Sequence, residues 1–153
     1  MKIWKMMYDQ SYDENIEIET SFKGEKAECG EKCDILSMGL KPILLPKAKD
    51  ALYEVIKDDV QFIKLKHDKY GECYMLNVIK VLDCLDESKI RYTSSYSIKK
   101  YVFKENINYP SIFKITTGSK RGHFVTEPFM ECVEKNKLKG LACDLIWDSE
   151  RDI

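Results

Sequence analysis

Apolar and polar positions are ordered most regularly near the end of the chain, between residues 112 and 148. Ile112, Phe113 and Ile115 predict a short strand, and residues 118–122 predict a basic turn after it. Residues 123–126 then lead into a helix, which residue 140 is placed to end before residues 141–147 return as a strand. The face of this helix that we expect to pack inward consists of Phe129, Cys132, Val133 and Asn136.

Two helix starts are marked by proline. Thr126 can cap the later helix with its hydroxyl, and Pro128 suits an early position where a missing N–H matters little. Pro46 suits the first turn of an earlier helix in the same way. The stripe of this earlier helix that we expect to face the core consists of Ala48, Leu52, Val55 and Ile56.

Strand patterns occupy most of the remaining chain. Residues 2–8 predict a first strand, and the alternation of residues 16–20 predicts a second, half-exposed one. Residues 61–66 and 72–78 predict two strands joined by a turn at 67–71. Residues 79–85 fit either a helix or a longer strand. Residues 101–103 predict a further strand, and residues 23–34 predict a polar loop. The predicted fold is α+β, a mainly antiparallel sheet with two or three packed helices.

Length and composition limit the class of protein. A chain of 153 residues fits one compact domain, residues 1–153, and buries enough surface to need neither a metal nor a disulfide. The 44% apolar and 33% charged fractions exclude a disordered chain. No apolar run approaches the roughly 20 residues of a membrane-spanning helix, so we expect no membrane association. The first residues lack the pattern of a signal peptide, which predicts a cytoplasmic protein.

The six cysteines suggest one alternative, a zinc site that begins at Cys29 and Cys33. A structural zinc site needs four ligands, and no second pair with suitable spacing is present. We therefore predict a protein without metal or cofactor, with all six thiols reduced in the cell. Oxidation during purification could still pair Cys29 with Cys33.

Charge is unevenly distributed along a chain whose net charge is −1. Residues 99–123 form a basic block with only one acid. Such blocks can orient a charged partner during encounter, although a solvated surface is the common explanation. His123, the last residue of this block, is expected to lie on a surface turn. We find no set of side chains arranged for catalysis. An acidic stretch without a base near the N-terminus contains Asp9, Asp13, Glu14, Glu17 and Glu19.

Several motifs, taken in order, resemble a bacterial family. They are KIWK at residues 2–5, ILLPKAKDAL at 43–52, YMLNVIKVLDCLD at 74–86, IFKI at 112–115, HFVTEPFMECVEKNKLKGL at 123–141 and IWDS at 146–149. The family was long a domain of unknown function and is now grouped with immunity proteins of polymorphic toxin systems. The resemblance covers most of the chain from about residue 40. One departure is Leu45, which stands where a serine would often cap the helix.

This resemblance implies an immunity protein that binds a cognate protein toxin and blocks it by occlusion, without catalysis. The acidic stretch would suit a toxin with a basic active-site cleft, so we expect its five acids to contribute to binding. Two alternatives remain open. A small nucleic-acid-binding regulator could use the basic block 99–123, although the near-zero net charge opposes it. A small enzyme is the other, and no acid–base set supports it.

Overall fold

The computed structural model describes residues 1–7, 21–22, 33–38, 41–116 and 122–151. Within these ranges the fold is α+β, as predicted, with two helices and mostly antiparallel strands. The helices are α1 (Pro46–Ile56) and α2 (Glu127–Lys135). The strands are β1 (Lys2–Met7), β2 (Ser21–Phe22), β3 (Ile35–Met38), β4 (Lys41–Leu44), β5 (Val60–His67), β6 (Gly71–Val78), β7 (Val81–Leu82), β8 (Arg91–Tyr92), β9 (Ile98–Lys100), β10 (Ile112–Ile115), β11 (Phe124–Thr126) and β12 (Ala142–Asp148).

The first sheet joins the two ends of the chain, in the order β12-β1-β11-β10-β7. The second strand in this order, β1, is antiparallel to both neighbours, so that Ile3 lies opposite Thr126 on one side and Trp147 on the other. The pairing with β12 is irregular between Ile3 and Trp4. The sheet ends in β7, which runs parallel to β10. The run 79–85, ambiguous in sequence, therefore contributes a two-residue strand and not a helix.

The second sheet has the order β2-β5-β6-β4-β3. Its centre is the predicted hairpin of β5 and β6, whose register runs from Val60 opposite Val78 to His67 opposite Gly71. His67 closes the turn, because its Nδ1 accepts the backbone N–H groups of Lys69 and Tyr70 at 3.0 and 3.1 Å. Gly71 has φ +75°, a conformation that glycine adopts without strain.

The two helices pack against each other and contribute to a core shared by both sheets. The predicted stripe of α1 is buried at Ala48, Leu52 and Ile56, and α2 buries Phe129 and Val133. Asn136, expected on the same face of α2, is an exposed residue at its end. Leu45 gives α1 no side-chain cap, as its side chain dictates.

The cap predicted for α2 is wrong in detail. Thr126 does occupy the N-cap position, but its hydroxyl makes no capping hydrogen bond. The hydroxyl donates instead to the carbonyl oxygen of Pro110 at 3.0 Å, because Thr126 also ends the buried strand β11 and faces that neighbour. The start of α2 is instead linked to β1, because Glu127 Oε1 accepts the backbone N–H of Lys2 at 2.6 Å.

A second core consists largely of aromatic rings on the first sheet. Phe103 is 2% exposed, and its ring lies 5.7 to 6.4 Å from those of Phe113, Phe124 and Trp147. Residues 101–103 were expected to form a strand, and this is wrong. Only Phe103 makes an isolated bridge, to Leu85, because the aromatic side chains of this segment are drawn into the core and the adjacent strand is β9.

Asp59 links the two sheets at the point where α1 gives way to β5. It is 6% exposed, and its Oδ2 accepts the backbone N–H of Ser111 at 3.0 Å, just before β10. Its carbonyl oxygen accepts the N–H of Ile79 at 2.9 Å. Burial raises the pKa of the Asp59 carboxyl, while hydrogen bonds from the backbone of Ser111 and Ile112 oppose that rise.

Some sequence predictions lie outside the described residues. These are the second strand at 16–20, most of the polar loop 23–34 and most of the basic turn 118–122. Within the described ranges, neither helix is long and apolar enough to cross a membrane.

Candidate functional site

The acidic stretch predicted to bind a partner lies outside the described residues. This applies to all five of its acids, Asp9, Asp13, Glu14, Glu17 and Glu19. Their contribution to binding stays a prediction.

The described cations of the basic block 99–123 lie on separate elements. Lys99 and Lys100 lie on β9, whereas Lys104 is near Asp83, with 3.9 Å between Nζ and Oδ1. Lys114 is half-buried on β10, and its backbone N–H donates to the carbonyl oxygen of Lys80. The remaining cations of the block, Lys120 and Arg121, lie outside the described residues. The described part of the block therefore does not form the continuous basic surface that a nucleic-acid-binding site needs.

A smaller basic surface is formed by the β8–β9 hairpin, which includes Lys99 and Lys100 of the block. Arg91 pairs with Lys100 across the hairpin, and Lys99 is exposed beside them. Tyr92 and Tyr96 add aromatic rings that are 46% and 87% exposed. We call these five residues, Arg91, Tyr92, Tyr96, Lys99 and Lys100, the hairpin surface.

The tip of the hairpin holds Tyr96 in an unusual conformation. Its φ is 62°, in the left-handed region that tyrosine rarely adopts. Two backbone hydrogen bonds close the tip, from Thr93 N–H to Ser97 O at 2.7 Å and from Tyr96 N–H to Thr93 O at 3.1 Å. The Thr93 hydroxyl also accepts the N–H of Ser97 at 3.2 Å. A closed turn therefore presents a ring that has almost no contact with the rest of the protein.

A groove of about 470 Å³ lies at the base of the hairpin, against the edge strand β12. Its lining consists of Arg91, Lys99, Lys100, Tyr101, Asp144, Leu145 and Ile146. A fourth cation is close, because Lys5 Nζ lies 3.5 Å from the Tyr101 hydroxyl and 5.9 Å from the centre of its ring. Among the described residues of this lining there are three cations and one acid, which favours an anionic partner.

The histidine predicted to lie on a surface turn is buried, and that prediction is wrong. His123 is 6% exposed beside β11, and its carbonyl oxygen accepts the N–H of Met6 at 2.9 Å. Burial, with smaller contributions from Lys114 and Lys41, lowers the pKa of its imidazole to about 4. The sequence predicted a turn because His123 follows a glycine, but the residue is buried immediately before β11 begins.

The described cysteines show no activated nucleophile. Burial raises the pKa of both the Cys84 and Cys143 thiols to about 12, which disfavours the reactive thiolate. Cys33 is disulfide-bonded, and its partner lies outside the described residues. The expectation that all six thiols are reduced concerned the cell, and it stays a prediction. No group of three or more His, Cys, Asp or Glu side chains that could hold a metal occurs in the described ranges.

Comparison with known proteins identifies the class as immunity proteins. Residues 57–146 match the profile of an immunity protein family, Imm11. The match spans more than half of the chain, so this protein belongs to the Imm11 immunity protein family. No curated protein matches it. The matched region includes the β8–β9 hairpin and most of β12, and excludes the acidic stretch.

The sequence analysis missed the hairpin surface. A usable signal was present, because the stretch 93–97, which is serine and threonine apart from Tyr96, separates two short basic segments, as in a hairpin loop. The groove had no such signal, since its two walls come from residues about fifty positions apart.

Proposed function

We propose that the protein is an immunity protein that binds a cognate toxin domain and blocks it by occlusion, without turnover. Its membership of the Imm11 family is the observation that carries this proposal. The high thiol pKa values of Cys84 and Cys143 are consistent with a role that needs no nucleophile. The separation of the basic block supports a protein partner over the alternative of nucleic acid. We further propose that the encounter takes place in the cytoplasm.

Co-expression tests the proposal directly. The probe is the C-terminal domain of a large secreted protein encoded next to this gene, expressed from an inducible promoter with and without the immunity protein. We expect growth arrest without it, full growth with it, and a stable complex of the two purified proteins. Growth arrest in both cases, with no complex, would reject the immunity function.

We also propose that the acidic stretch contributes to this binding. Its five acids carry no internal counter-charge, so they would attract a basic cleft on the toxin from a distance. The test variant changes Asp9 and Asp13 to Asn, and Glu14, Glu17 and Glu19 to Gln. We expect the association rate at low salt to fall by about tenfold or more, and the difference from wild type to shrink at high salt.

A matched control separates the position of these charges from their number. It neutralises five exposed acids elsewhere, Asp58, Glu105, Glu131, Glu134 and Glu150. This variant has the same net charge as the test variant, and we expect it to associate at nearly the wild-type rate. Equal rates for the test variant and wild type, in a correctly folded protein, would remove the acidic stretch from the interface.

A further inference from the structure

We propose that the hairpin surface and the adjoining groove form a docking surface for an acidic protein partner. This inference rests on the proposed function, since the partner would be the toxin domain itself. The surface would receive an acidic region of that domain, with an apolar recess for the ring of Tyr96. It is a second contact, distinct from the acidic stretch.

The groove carries more positive than negative side chains. Arg91, Lys99 and Lys100 line one side of it, and among the described residues Asp144 is the single acid in its lining. Arg91 and Lys99 are exposed, so their guanidinium and ammonium groups can reach a partner without rearrangement of the fold. A cluster of one sign on a chain of net charge −1 favours a partner of the opposite sign at this place.

The backbone conformation of Tyr96 is unfavourable for a tyrosine. A tyrosine at φ 62° is less stable there than glycine or asparagine would be, and its 87% exposed ring gains nothing in return from the described fold. Exposed tyrosines with few rotatable bonds are common anchors in protein interfaces. The turn aims the ring outward, so a partner with a recess at this place would supply the missing contacts.

The position of the hairpin also favours a protein interface. The hairpin pairs with no other strand among the described residues, and the groove runs from it to β12, an edge strand of the first sheet. Leu145 in the groove is 39% exposed, and Ile146 is partly buried. The surface therefore combines an apolar floor, cations on one wall and a projecting aromatic ring, which together suit a protein interface better than a small-molecule site.

The test uses full-length protein and the neighbouring-gene toxin domain, with affinity measured by calorimetry or surface plasmon resonance. Tyr96→Gly removes the ring and also relieves the left-handed conformation, so the hairpin should stay folded. We expect it to weaken the complex by about thirtyfold, as for an interface anchor. Tyr53→Ala, which removes an exposed tyrosine from α1, is the control and should bind as wild type does.

Charge reversal tests the partner's chemistry. Arg91→Glu with Lys99→Glu should lower the association rate at low salt by about tenfold, whereas Lys135→Glu with Lys139→Glu should change it little. Both pairs are exposed, and both change the net charge by the same amount.

The outcomes separate the two proposals. If wild type binds the toxin domain and both hairpin variants bind equally well, the docking surface is wrong and the immunity function stands. If wild type neither binds nor protects, the proposed function fails and the docking surface fails with it. Stronger binding by the charge-reversed variant would show that the partner presents a basic surface here, which also overturns the proposal.

Discussion

Replacement of Asp59 should separate the value of its hydrogen bonds from the penalty of its buried charge. The side chain is the acceptor for the backbone N–H of Ser111, and the backbone of Ile112 also donates to it. Asp59→Ala removes the acceptor and leaves both donors unsatisfied next to the core. Each such donor costs about 1–3 kcal/mol, and removal of the buried carboxyl offsets part of this, so we expect the free energy of unfolding to fall by about 2–4 kcal/mol.

Asp59→Asn should behave differently. Its Oδ1 can still accept, and the raised pKa of Asp59 shows that the folded protein favours the neutral side chain relative to water. We therefore expect a loss below about 1 kcal/mol at pH 7. The exposed neighbour Asp58 is a suitable control, and Asp58→Asn should have almost no effect.

The pH dependence supplies an independent check. Because the folded-state pKa of Asp59 is raised, the folded protein holds this proton more tightly than the unfolded chain does. The stabilisation of the wild type by this group is therefore greatest below the ordinary pKa of aspartate and is lost as pH rises through the raised pKa. Relative to the wild type, Asp59→Asn should thus be least destabilised at neutral pH.

Urea unfolding followed by circular dichroism measures all three variants. A fall of 2–4 kcal/mol corresponds to a melting temperature lower by roughly 4–16 °C for a protein of this size. Equal losses for the alanine and asparagine variants would refute the reasoning, because the retained acceptor would then be without effect.

Two further predictions concern the backbone and a buried histidine. Gly140→Ala should lower the free energy of unfolding in urea by about 3 kcal/mol or more, because φ is +100° and a Cβ would lie 2.2 Å from a backbone carbonyl oxygen. Gly71→Ala, where φ is +75° and the space is open, should lower it by only about 1 kcal/mol. A smaller loss at Gly140 than at Gly71 would contradict this. The lowered pKa of His123 means that stability is full above its ordinary pKa of 6.5 and is lost as pH falls towards about 4, by at most about 3 kcal/mol. His123→Gln should flatten stability between pH 6.5 and 4.5, and an unchanged slope in unfolding titrations would show that His123 does not contribute.

Local patterns predicted the elements whose signals are contained within a few residues. The hairpin of β5 and β6 follows from alternation and a turn-rich pentamer, and α1 follows from Pro46 and its apolar stripe. The sequence did not predict that the strands divide between two sheets. That division depends on pairings such as β1 with β12, which join distant residues and leave no local pattern.

The missed and mistaken residues have a common physical origin. Tyr101 and Phe103 have side chains typical of strands, but burial in an aromatic core determined their backbone. His123 follows a glycine and basic residues, yet it is buried because the next residues complete the first sheet. The groove could not be predicted, since its cations and its floor come together only when β9 and β12 are in place.

The interior position of β1 in the first sheet also affects how the protein is made. The ribosome synthesises β1 well before its partners, because Ile3 pairs with Thr126 and Trp147, more than 120 residues further along the chain. At about 5–20 residues per second, β1 waits roughly 6–23 s for β11 with both edges unpaired, and during this time it is available to chaperones or to misfolding. The hairpin of β5 and β6 can form much earlier, because its partners are synthesised together. We therefore expect a nascent chain to acquire its second sheet before its first, and the first sheet to be complete only after the ribosome has released β12.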